Sequence, residues 1–114
     1  MQKNFAPLDG GVRPLAEGHG ACMATDMITV HGRPVGYMVR EEPGFAEDSG
    51  WVFMAGDESQ EFMDDPNNAG IYDVNTIANY CQDIIELLDT PAPCAFERDE
   101  SGKLGAIPYE ASDD

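Results

Sequence analysis

Between residues 41 and 97 the chain has neither lysine nor arginine, and the whole 114-residue sequence holds only 6 of them against 22 Asp and Glu, a formal net charge of −16. Affinity for phosphate requires clustered cations, so this balance argues against nucleic acid as a partner. Anionic membrane surfaces are disfavoured for the same reason. Long apolar runs are also missing: nothing approaches the roughly 18 residues of a membrane span. The N-terminal MQKNFAPLDGG has no apolar h-region, so no secretory signal is expected and the chain reads as cytoplasmic.

Cysteine is scarce, with Cys22, Cys81 and Cys94 odd in number and far apart. Without a Cys-x-x-Cys pair, a structural zinc site or thioredoxin-like chemistry lacks its usual spacing. Reduced thiols in a cytosol fit best, and Cys81 and Cys94 fall in apolar patterns where a free Cys acts as a small core residue. The 2 histidines, His19 and His31, flank Cys22. A Cys–His nucleophilic pair needs an orienting third group that the sequence does not supply. There is no G-x-S-x-G, P-loop, G-x-G-x-x-G or H-E-x-x-H motif. The reading is a protein that is not an enzyme, with no cofactor and no metal ligand set.

The length sets a single domain with a radius of gyration of about 13 Å. At 42% hydrophobic residues the chain is globular rather than disordered. Residues 1–20, rich in glycine and without periodicity, read as a loose N-terminal arm. Met27-Ile28-Thr29-Val30 and the alternation at Val35, Tyr37 and Val39 flank His31-Gly32-Arg33, which predicts a hairpin. Trp51, Phe53 and Ala55 alternate with Val52 and Met54; a strand apolar on both faces is expected to be central and covered on both sides. Glu58 to Met63 has the makings of a short helical turn.

The strongest periodicity follows. Val74, Ile77, Ala78, Cys81, Ile84, Ile85 and Leu88 recur at helical spacing, with Asp73 as N-cap and Asp89-Thr90-Pro91 as the stop. Burying each Leu or Ile of that stripe contributes about 1.5–3 kcal/mol. Residues 94–97 and 104–107 flank Asp99-Glu100-Ser101-Gly102 as a second hairpin. The expected fold is α+β: one domain over residues 21–108, an antiparallel sheet of about five strands packed against one long or two short helices. Residues 109–114 read as an acidic tail.

The stretch from 41 to 97 holds fourteen acids and no base. Internal ion pairs are scarce there, so most of these carboxylates are solvated and mutually repulsive. Solubility accounts for such a surface without any partner; the alternative is a cation or a basic protein. Calcium takes several carboxylate and carbonyl oxygens, but the EF-hand template fails. Counting from Asp64 puts Ala69 where glycine is required, and counting from Asp57 puts Phe62 there. Carboxylate pairs for glycoside hydrolysis arise by chance among so many acids, and so short a chain seldom builds a sugar cleft. Trp51 reads as a core residue, or as a binding anchor if its ring is partly exposed.

Several blocks then converge: Thr29-Val30 with Pro34-Val35-Gly36-Tyr37-Met38 and Arg40-Glu41-Glu42-Pro43; Asp48-Ser49-Gly50-Trp51 with Phe53 and Gly56-Asp57-Glu58; Met63-Asp64-Asp65-Pro66; Gly70-Ile71-Tyr72-Asp73 with Asn75-Thr76-Ile77-Ala78-Asn79-Tyr80; and Ala95-Phe96-Glu97-Arg98. From about Cys22 to Leu104 the chain resembles the bacterial immunity-protein-thirty-three-like family. The resemblance implies an α+β fold and a role in neutralising toxins of polymorphic toxin systems, although family members without an assigned role are also typical. Relatives commonly carry Pro where this chain has Gln82, which implies a helix divided near Cys81-Gln82. An acidic inhibitor gains partner selectivity and association rate from a basic target. The expected contact patch is Asp57, Glu58, Glu61, Asp64 and Asp65, with Trp51 as the anchor. A cation-binding acidic domain and an accessory domain without a toxin partner stand as alternatives.

Overall fold

The computed structural model describes residues 5–8, 11–44 and 47–109. Six strands, β1 (Ala21–Thr25), β2 (Tyr37–Arg40), β3 (Asp48–Met54), β4 (Ala69–Asp73), β5 (Cys94–Arg98) and β6 (Leu104–Ile107), form one sheet in the order β4-β1-β3-β2-β5-β6. Three short helices join them: α1 (Asp26–Thr29), α2 (Gln60–Asp64) and α3 (Val74–Tyr80). Two 3-10 segments, Pro66–Asn68 and Gln82–Leu87, complete the set. The architecture is the expected α+β, with a radius of gyration of 13.4 Å.

The sheet is mixed. β1 runs parallel to β3, and the pairings β1–β4, β2–β3, β2–β5 and β5–β6 are antiparallel. The second hairpin forms as expected, with Asp99 Oδ1 accepting from the backbone N–H groups of Ser101 and Lys103 at its turn. The first does not. Residues 26–29 are helical despite their β-branched content, because Ile28 and Thr29 are buried and Val30 N–H bonds Asp26 O at 2.9 Å. Tertiary burial overrides a propensity worth only tenths of a kcal/mol per residue. The turn at His31-Gly32 is retained, but a helix enters it and β2 pairs instead with β3 and β5.

The stripe from Val74 to Leu88 is buried as its spacing predicts, except that Ile85 is only half-buried, and Asp73 caps through a bond from Asn75 N–H. The helix is not continuous. Cys81 is extended (φ −146°, ψ 97°), so α3 ends there and Gln82–Leu87 continues as a 3-10 helix. The division implied by the family resemblance is therefore observed. This layer, α1 and Ala16 cover one face of the sheet over Cys22, Ala24, Met38, Trp51, Phe53 and Phe96.

Residues 11–20 have no helix or strand, yet 13–16 are docked. Asn75 Oδ1 accepts from Leu15 and Ala16 N–H at 2.8 Å, and its Nδ2 donates to Arg13 O. The acidic tail falls outside the described residues beyond Tyr109.

β3 is internal, but only one of its faces is fully covered. Ser49, Trp51 and Phe53 are buried while Val52 and Met54 are half-buried. A bulge near its start shifts the β1–β3 register between Ala21 and Met23. Ser49 Oγ closes the bulge, donating to Ala21 O at 2.6 Å and accepting from Trp51 N–H. Gly50 sits there at φ +83°, and a Cβ on it would lie 2.0 Å from Glu41 O.

Candidate protein-binding face

β3 exits at Met54 and β4 enters at Ala69, on either side of β1. The acidic connection between them therefore crosses the end of β1, where Thr25 is paired with Ala69. Glu58 fixes it in place. Its Oε2 accepts from Thr25 Oγ1 at 2.6 Å and from Ala55 N–H at 2.7 Å, and its Oε1 from Gly56 N–H at 2.9 Å. Burial raises the proton affinity of this carboxyl, but the hydroxyl and backbone donors outweigh it and hold the pKa below the ordinary glutamate value.

The neighbouring acids are arranged differently. Asp57 accepts from Arg33 Nη1 at 2.7 Å, and that guanidinium holds its carboxyl below the usual range. Ser59 caps α2 by accepting from Phe62 N–H, and Asp65 caps the following 3-10 turn by accepting from Asn67 N–H. Asp64 accepts from Gln60 Nε2 at 2.8 Å. Glu61, Asp64 and Asp65 are exposed on this rim. The five expected contact acids thus share one end of the sheet, with Glu58 turned inward to hold the loop. Asp83, Glu86 and Asp89 of the same base-free stretch lie instead in or just after the Gln82–Leu87 segment of the helical layer, where Asp83 pairs with Arg98 at 3.0 Å.

Trp51 does not join them. It is 1% exposed, stacked on Phe53 with centroids 5.8 Å apart, and Arg40 lies over its ring at 5.7 Å. Arg40 is itself held by the carbonyls of Ser49 and Thr90. The core reading of this tryptophan holds, and the surface-anchor expectation is corrected: an odd-numbered β3 residue faces the helical layer.

The face of the sheet away from the helices carries a feature that the linear sequence hides. Register pairs link Ile71 to Met23, Met23 to Val52, Val52 to Val39, Val39 to Ala95, and Ala95 to Ile107. One apolar residue from each strand thus forms a continuous row across the sheet. Val39 and Ala95 are buried by their neighbours, whereas Ile71 is 66% and Met23 43% exposed. No periodicity in any single segment marks Met23 or Ile71; only strand pairing brings them together.

The Cys22 thiol is pushed up to about 12 by burial, with Asp73 and Asp48 adding repulsion, which disfavours its thiolate at neutral pH. Among the described residues no three His, Cys, Asp or Glu side chains gather as a metal ion requires, and no helix is long and apolar enough to cross a membrane.

A family model described as the immunity protein Imm33 domain matches residues 22–107. No curated protein and no solved structure matches the chain.

Proposed function

The chain belongs to the Imm33 immunity-protein family, and from that premise we propose that it is a non-enzymatic acidic inhibitor that caps the basic surface of a cognate toxin in the bacterial cytoplasm. The observation that carries the electrostatic part is the placing of Asp57, Glu61, Asp64 and Asp65 on one rim, anchored through Glu58 to β1. A loop held rigidly by the sheet presents these charges without a large ordering cost on binding. Complementary potential then steers encounter and rejects acidic partners. A calcium-dependent role draws no support from the geometry, since among the described residues no three His, Cys, Asp or Glu side chains gather, Glu58 is turned inward to the loop and Asp65 caps a 3-10 turn.

The test is coexpression with the toxin domain encoded beside this gene in its native genome. The proposal expects growth arrest by that domain alone and rescue by this chain. Arrest that this chain leaves unrelieved contradicts it, as does a neighbouring product without toxicity.

A further inference from the structure

The open sheet face has the anatomy of an interface: an apolar centre bordered by charge of one sign. Its centre is the cross-strand row that begins at Ile71 and Met23, the exposed end of which lies on β4, β1 and β3. On one side of the row, Ala21 is paired with both Asp73 and Asp48. On the other, Tyr37 pairs with Glu97, and Glu58 reaches Thr25 two residues along from Met23. Among the strand positions of this face there is no Lys or Arg; Arg33, at the same end, is engaged by Asp57.

We infer that this open face, rather than the helical layer, is the surface that seats the toxin, with the Ile71–Met23–Val52 end as its apolar centre and the 57–65 connection as its rim. The inference rests on the immunity reading above and deepens it by assigning the contact and the chemistry of its occupant. That occupant presents an apolar ridge flanked by Lys and Arg. Charge decides against a second copy of this chain, because face-to-face pairing would press Asp48, Asp73 and Glu97 of one molecule against the same acids of another, each copy carrying −16. Like charge likewise opposes self-pairing through the exposed edge strand β4.

The experiment places a photo-crosslinking p-benzoylphenylalanine at Ile71, or at Glu86 on the helical layer, in the native host, and identifies adducts by mass spectrometry. Support is an adduct from position 71, absent from position 86, with a basic polypeptide whose toxicity this chain relieves. Binding of that purified polypeptide should then weaken about tenfold or more in the Met23→Thr/Ile71→Thr double variant, with Tm unchanged. Both sites are solvent-accessible and threonine keeps strand propensity, so the fold survives the change.

An adduct with the same polypeptide from position 86 alone, or equally from both positions, overturns the assignment of the face while leaving the capping reading intact. So does unchanged affinity of the double variant, or an adduct between two copies of this chain. No adduct from either position overturns the assignment of the face, while rescue in the coexpression test decides the capping reading separately.

Discussion

Thr25 Oγ1 donates to Glu58 Oε2 at 2.6 Å, joining the last residue of β1 to the acidic connection between β3 and β4. This bond sets the rim of carboxylates beside the apolar row of the open face. It also makes Glu58 different in kind from Glu61 or Asp64: its carboxylate accepts three hydrogen bonds that shape the loop.

Replacing that carboxylate tests the point directly. Glu58→Gln puts an amide donor where three donors now converge, and should cost about 1–3 kcal/mol of stability. For a domain of this size Tm falls about 4–8 °C per kcal/mol, and a urea titration gives the same loss. Glu61→Gln, whose side chain is exposed, should leave Tm unchanged.

Acid should destabilise the fold through identifiable groups. The carboxyls of Asp48, Asp57, Glu58 and Asp99 are all held below their ordinary values. A depressed folded pKa contributes stability that is complete above the unfolded value, about 3.9 for Asp and 4.3 for Glu. That contribution is lost as pH falls through the lower folded value. Tm should therefore drop steeply below about pH 4, and the drop should be shallower in Glu58→Gln.

The bulge in β3 makes a sharper demand on one glycine. Gly50 combines φ +83° with a space closed by Glu41 O, whereas Gly105 in β6 has no positive φ and open space, with no heavy atom within 4 Å, where a Cβ would stand. Gly50→Ala should cost more than about 1–2 kcal/mol in backbone strain alone. Gly105→Ala should be neutral within about 0.5 kcal/mol. Equal Tm values for the two variants would refute the bulge geometry.

Asn75 ties the N-terminal segment to α3 through Leu15, Ala16 and Arg13. Asn75→Ala strands the Leu15 and Ala16 N–H donors, while Arg13 O keeps its bond from Asn79 Nδ2, at a cost of about 1–3 kcal/mol. Limited proteolysis should then cut within residues 11–20 faster than in the parent, before any cut in the sheet.

The sequence is most readable where one local rule and one tertiary demand agree. Asp73 as a cap, the buried stripe from Val74 to Leu88 and the second hairpin all follow that pattern. Residues 26–29 mislead because their β-branched character opposes their burial, and burial decides. β1 and β4 leave little trace: each has five residues, and β4 is an edge strand whose Ile71 faces solvent, so no clean alternation survives. The acidic rim can be read from composition and spacing. The apolar row beside it cannot, since its six members come from six strands and meet only through register.

Affinity for the toxin as a function of ionic strength probes the central claim most directly. Raising NaCl from about 50 mM to about 500 mM shortens the screening length severalfold, and the account predicts a Kd at least about tenfold weaker, carried mainly by a slower association rate. A Kd unchanged across that range would show that the carboxylate rim plays no part in recognition.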